Sequence, residues 1–186
     1  MKKLLSLALI LATVLSLAGC GIPSTEPPPK IKEAEFPFSV EFIFNGKTYI
    51  YEDVVVCSFY GFDHSAWFQA SRMWIEHFKS DNGYPTNILI HKEYHAKSVL
   101  DESRTNIEAK LMLGCGRGDY YMGDDAYDSA KPCFYYYETY QIKEKVTGTK
   151  RTNLTEEQLE EYFGLTVVRF EFSAPITNEF RYEEEQ

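Results

Sequence analysis

Phe38, Val40, Phe42 and Phe44 alternate with Ser39, Glu41 and Ile43, a period of two that predicts a strand with one face in a core. Asn45-Gly46 comes next, the dipeptide that best tolerates the two positive φ angles of a type I′ hairpin turn. Lys47 to Tyr51 then returns, and a two-residue turn would set Phe42 opposite Tyr49 and Val40 opposite Tyr51. Val54 to Tyr60 (VVVCSFY) is a β-branched and aromatic run, read as a third, more buried strand. Between Trp67 and Lys79 the pattern is ambiguous. Trp67, Ala70, Ser71, Trp74, Ile75 and Phe78 fit helical spacing, and propensity leans slightly to a helix, while Arg72 to Lys79 also reads as extended. The turn residues Ser80 to Pro85 end the segment under either reading.

Further strands are expected at Asn87–His91, at Ile107–Leu113 with Ile107, Ala109, Leu111 and Leu113 on one side, at Cys133–Ile142 and at Leu165–Phe172. Gly114 to Gly118 is a glycine-rich loop. Thr155 with Gln158 three residues on forms a capping box, Leu154 and Leu159 the staple around it, and Gly164 the C-terminal stop of a short helix. Many turns, about seven short strands and one or two brief helices predict a mainly β fold, an antiparallel β-sandwich-like domain.

The N-terminus follows another logic. Met1-Lys2-Lys3 is cationic, and Leu4 to Leu17 is an uncharged stretch of 14 residues, too short for a hydrocarbon core that needs about 20. Leu17-Ala18-Gly19-Cys20 matches the lipobox of bacterial lipoproteins, in which the cysteine receives a diacylglyceryl group and becomes the new N-terminus. Two acyl chains hold a protein stably on a bilayer where one does not. Gly21 to Lys32 carries four prolines and no apolar period, the composition of a semi-rigid spacer of about 3.1 Å per residue. The expected organisation is a signal peptide over 1–19, a lipidated Cys20 with a proline-rich linker over 20–35, one β-rich domain over 36–182 and an acidic tail over 183–186. The expected address is the outer face of the bacterial cytoplasmic membrane.

Charge narrows the partners. The chain holds 19 Lys+Arg against 28 Asp+Glu, a formal charge of −9, and loses two lysines with the leader. That acid excess argues against a nucleic-acid surface, which needs clustered cations. With 44 % apolar and 16 % aromatic residues the chain is no disordered tail, and a domain of about 147 residues buries roughly two-thirds of its unfolded surface.

Glu52-Asp53-Val54-Val55-Val56-Cys57, followed by Tyr60-Gly61-Phe62, resembles a segment of a group of small lipoproteins from Gram-positive gut bacteria. Tyr120-Tyr121-Met122-Gly123-Asp124 and Ala174-Pro175-Ile176-Thr177-Asn178-Glu179-Phe180 are similar to other segments of that group, in the same order. The group has no established activity. The resemblance therefore implies the anchor and one extracytoplasmic domain, and transfers no catalytic or binding residue.

Several constellations carry candidate chemistry. With Cys20 acylated, Cys57, Cys115 and Cys133 permit one bridge in three pairings. Cys115–Cys133 is the best placed and would close a loop of about 19 residues, for roughly 3 kcal/mol, while Cys57 in an apolar strand reads as a buried inert thiol. On a continuing strand His91, Glu93 and His95 would share a side and offer a zinc ligand set; the plainer reading is solvated histidines where a strand frays. Asp119, Asp124, Asp125 and Asp128 concentrate carboxylates as a weak calcium loop does, in a spacing that fits no EF-hand, and turns use the same residues. Arg117-Gly118-Asp119 is a common triplet to which no weight attaches.

Tyr135 and Tyr137 must face opposite to Phe134 and Tyr136 if 134–140 is a strand, and Tyr120, Tyr121, Tyr127 and Tyr84 lie in or beside loops. Tyrosines beside carboxylates stack on sugar rings or anchor protein partners, which makes Tyr120, Tyr121, Asp124, Tyr135 and Tyr137 the candidate contact residues; filling a core is the plainer use of any one of them. No glycosidase carboxylate pair, nucleophile elbow or phosphate loop is recognisable. The leading expectation is a non-enzymatic, membrane-tethered binding module without a cofactor, its ligand a cell-wall glycan or an envelope protein. An envelope structural or inhibitory protein comes second, and a small zinc hydrolase using His91, Glu93 and His95 third.

Overall fold

The structure, a computed structural model, describes residues 27–63, 71–80, 86–124, 130–143 and 146–180. Cys20 and the leader, Tyr84, Asp125, Tyr127, Asp128 and the acidic tail lie outside the described residues. The strands are β1 (Glu33–Phe44), β2 (Lys47–Asp63), β3 (Ser71–Phe78), β4 (Asn87–Lys97), β5 (Thr105–Gly114), β6 (Cys133–Lys143), β7 (Val146–Asn153) and β8 (Thr166–Phe172), with short helices α1 (Gly118–Tyr121) and α2 (Glu156–Phe163). They form two antiparallel four-stranded sheets in the orders β3-β2-β1-β8 and β4-β5-β6-β7. The chain therefore winds through three strands of the first sheet and all four of the second, then returns so that β8 lies beside β1. The expected mainly β, sandwich-like architecture is the one observed.

Alternation explains the layers. Phe36, Phe38, Val40, Phe42 and Phe44 of β1 point inward and meet Leu111, Leu113 and Phe134 of the second sheet in one buried cluster. Phe42 sets its ring edge-on to Phe134 at 5.8 Å. Each such side chain contributes about 1.5–3 kcal/mol on full burial. The hairpin register is the expected one, Phe42 opposite Tyr49 and Val40 opposite Tyr51, and Asn45 and Gly46 both take positive φ, 51° and 70°.

Four details depart from expectation. Lys47–Tyr51 and Val54–Tyr60 are one strand, because Glu52 and Asp53 are satisfied within the sheet and do not turn the chain. Glu52 accepts from Ser39 Oγ at 2.9 Å and Arg169 Nη2 at 3.0 Å, and Asp53 accepts from Ser80. Residues 71–78 are strand, paired with β2 from Val55 to Asp63. Trp74 and Phe78 satisfy both periods, since a spacing of four is also two strand repeats. The polar strand β7 and the one-turn α1 carry no apolar pattern that announces them. Finally, strand begins at Glu33, inside the expected linker, and Pro27 to Lys32 lie against the C-terminal segment: Pro29 bridges Phe180 and the Lys30 amide donates to Glu179 O at 2.8 Å.

At the far end of the second sheet a polar knot fixes the loop before β5. Glu138, fully buried, accepts from Ser98 Oγ at 2.5 Å and from Arg104, and Arg104 also pairs with Asp101 at 2.9 Å. Tyr136 Oη lies beside Glu138 and Ser98 without a hydrogen bond of ordinary geometry. The capping box of α2 is present: Gln158 N donates to Thr155 Oγ1 at 3.3 Å and Thr155 N to Gln158 Oε1 at 3.0 Å.

Candidate functional site

Where the edge strand β3 meets α1, a cleft of about 500 Å³ opens. Strand parity puts Trp74 and Glu76 on the inner side of β3, across from Phe59 and Cys57 of β2. α1 can press against them because its first residue is Gly118; a Cβ there would come 2.4 Å from Trp74 Cβ. The opposite wall is Arg117 and Asp119, paired at 3.4 Å. Tyr60 stands at the mouth, 69 % exposed. Behind Glu76 and Arg117 a second hollow of about 140 Å³ runs under Thr86 and Gly116.

Glu76 is the perturbed group of the cleft. Burial pushes its carboxyl above the usual carboxylate range, the Gly118 amide and Arg117 guanidinium pull it down, and Asp119 pushes it further up. Gly118 N donates to Glu76 Oε2 at 3.3 Å. An ionisable group held off its ordinary pKa inside a concavity is a mark of a functional site. Chemically, the cleft is lined by an exposed phenol, an indole, the carboxyl groups of Asp63, Glu76 and Asp119 and the guanidiniums of Arg72 and Arg117, a set that stacks on a ring and hydrogen-bonds hydroxyls.

The sequence candidates are divided among several places. Asp124 braces the cleft from behind: its carboxylate accepts Arg72 Nε at 2.9 Å, Arg72 Nη2 at 2.6 Å and Trp74 Nε1 at 2.8 Å. A carboxylate gripped by a bidentate Arg is committed to that pair. Tyr121 is core, stacked on Phe36 at 4.5 Å and donating to Cys115 O at 2.7 Å; Tyr120 packs beside it, edge to face at 5.0 Å. Tyr135 and Tyr137 point to the outer face of the second sheet, as alternation requires, where Tyr137 is half-buried and Tyr135 is buried under its neighbours. There Arg151 covers Tyr135 at 3.9 Å and Lys110 lies 5.6 Å from the Tyr137 ring centre, so basic side chains occupy the ring faces. Neither tyrosine lines the cleft.

His91, Glu93 and His95 are not brought together. β4 continues through them, but its register slips between Leu89 and His91 and again between Tyr94 and Ala96. His95 adopts φ 58° and is bulged out to Asn106, Nδ1 to Oδ1 2.5 Å, while His91 lies against Phe44. Among the described residues no group of three His, Cys, Asp or Glu side chains is placed to hold a metal ion. The expected Cys115–Cys133 bridge is absent: Cys57, Cys115 and Cys133 are free thiols. Gly114, not Cys115, pairs with Cys133. Cys115 turns into the core, and Cys133 faces outward, 4.0 Å from Arg151 Nη2. Burial, reinforced by Glu76 and Asp119, pushes the Cys57 thiol up to about 12.

Tyr60, Trp74 and Glu76 were not among the sequence candidates. The parity of Glu76 with Trp74 and Phe78 was the available signal, and it becomes readable only once 71–78 is known to be strand. No family model, no curated protein and no solved structure matches this chain.

Proposed function

We propose that the chain is a lipid-anchored, extracytoplasmic binding module of a bacterial envelope, held on the outer face of the cytoplasmic membrane through Cys20, and that it takes a hydroxylated, ring-bearing ligand in the cleft between β3 and α1. One observation carries the binding half: exposed Tyr60, Trp74 and the half-buried carboxylate of Glu76 converge on one cleft of about 500 Å³ with Arg117 and Asp119 opposite. The anchor half rests on the lipobox Leu17-Ala18-Gly19-Cys20.

A glycan array probed with wild type, Tyr60→Ala and Glu76→Gln tests the binding half. The expected result is a set of bound glycans whose signal falls several-fold in Tyr60→Ala, as loss of an aromatic stack worth about 0.5–1.5 kcal/mol requires. Wild type that retains no glycan, or variants that bind as well as wild type, would remove the cleft from consideration. Metabolic labelling with a palmitate analogue tests the anchor, because only the wild type and not Cys20→Ala should carry the tag.

A further inference from the structure

Arg72 lines the cleft and also fastens both ends of the domain. Its Nη1 donates to Pro27 O at 3.2 Å, its guanidinium lies 3.9 Å from the centre of the Phe180 ring, and its other nitrogens grip Asp124. The chain before β1 is tied down beside it. Ile31 N donates to Asn178 Oδ1 at 3.0 Å and Asn178 Nδ2 to Ile31 O at 2.9 Å. The proline-rich stretch is thus a strap on the domain from Pro27 onward, and only the residues before it remain to serve as a leash.

That shortens the reach decisively. Cys20 precedes Pro27 by seven residues, and an extended chain covers at most 3.3–3.6 Å per residue, so the acylated cysteine lies within about 25 Å of Pro27 whatever path joins them. The hairpin tip is at the other end of the sheet. Phe62, the register partner of Arg72, is fifteen residues from Lys47 along β2, about 50 Å at 3.3 Å per residue. We infer that the strap makes the cleft the membrane-proximal end of the domain, and that its ligand is the sugar headgroup of a glycolipid seated in the same membrane. This rests on the acylated binding module proposed above. A site tethered this closely meets membrane-held headgroups at the millimolar effective concentrations of a short linker, so an exposed Tyr60 and a few hydrogen bonds suffice for occupancy. A polymer tens of ångströms from the bilayer would instead meet the hairpin end.

The test uses the acylated chain purified from membranes, in a Cys133→Ser background, reconstituted in phosphatidylcholine vesicles that carry a headgroup acceptor dye. A donor is attached at Tyr60→Cys or at Lys47→Cys. Energy transfer should be at least twofold greater from position 60, and a long Gly/Ser insertion after Gly21 should abolish the difference. Equal transfer, or more from position 47, overturns the inference while leaving the anchor reading intact; a purified chain whose mass lacks the diacylglyceryl group overturns both. With unlabelled protein, adding a diglycosyl diacylglycerol to the vesicles should slow hydrogen exchange at the Gly118 amide in wild type and not in Tyr60→Ala. No change in wild type, or the same change in Tyr60→Ala, refutes the glycolipid assignment.

Discussion

Gly123 offers the sharpest test of how the cleft end is closed. Its φ is +67°, and a Cβ built on it would lie 2.4 Å from the Ile176 carbonyl oxygen. Gly164, which ends α2, has φ +61° and open space at the same point. Alanine at either position bears the left-handed penalty, roughly 1–2 kcal/mol. At 123 the C-terminal segment must also retreat by 1.0 Å to restore a contact of 3.4 Å. Ile176 donates its own amide to Tyr121 O at 2.9 Å, and leaving that buried acceptor unpaired costs about 1–3 kcal/mol more. Gly123→Ala should therefore lose about 2–5 kcal/mol and Gly164→Ala about 1–2 kcal/mol in urea unfolding followed by tryptophan fluorescence. Were the C-terminal segment to peel away locally instead, the Lys30 and Ile31 amides, bonded to Glu179 and Asn178, would exchange faster with little change in global stability. Two alanine variants of equal stability, with those amides protected as in wild type, would refute the reasoning.

Burial raises the Glu76 pKa on folding, so the native state holds its proton more tightly and the site's stability contribution is full at acid pH and lost as pH rises through the ordinary carboxylate range to the raised value. Glu76→Gln should match wild type at acid pH and gain on it as pH climbs; parallel stability curves would sink the burial argument. Thr155→Ala removes the acceptor for the Gln158 amide and should cost about 1 kcal/mol in thermal unfolding, against no change if the cap is idle. With Cys57 and Cys115 buried and their thiols pushed up, a thiol reagent should modify Cys133 first and the other two only in denaturant; rapid labelling of Cys57 in the native protein would contradict that. Deleting His95 should regularise β4 and make association concentration-dependent in light scattering, whereas a deletion variant that stays monomeric would show that the bulge protects nothing.

The layers were legible because one face of β1 is Phe36, Phe38, Val40, Phe42 and Phe44, and only a strand buries all five together. The hairpin was legible because Asn45-Gly46 admits few alternatives. β7 was not, since Val146 to Asn153 is mostly exposed and gains its conformation from pairing with β6 rather than from its own pattern. The cleft was hidden for a related reason. Its wall is Trp74 and Glu76 on a segment whose spacing suits two periods, and its floor is a one-turn helix admitted by a single missing Cβ at Gly118. Asp124 is a candidate contact residue by its sequence neighbours, and composition cannot show that Arg72, 52 residues away, takes both its oxygens.

The failed metal triad and the irregularity of β4 have one cause. β4 and β7 are the edges of the second sheet, and an unpaired edge is a template for another chain unless something spoils it. β7 is spoiled by composition, with Thr147, Gly148, Lys150 and Arg151 along a largely exposed strand. β4 is more apolar at its start, with Ile88, Leu89 and Ile90, and is spoiled by geometry instead. Three register shifts interrupt it, and His95 and Asn106 across the ladder both take positive φ. A bulge inserts one unpaired residue and reverses the faces beyond it. With His95 skipped, Ala96 takes the inward place opposite Ile107 and His95 is turned out. Side-sharing of 91, 93 and 95 required an unbroken period of two, which is the regularity an exposed edge strand gives up.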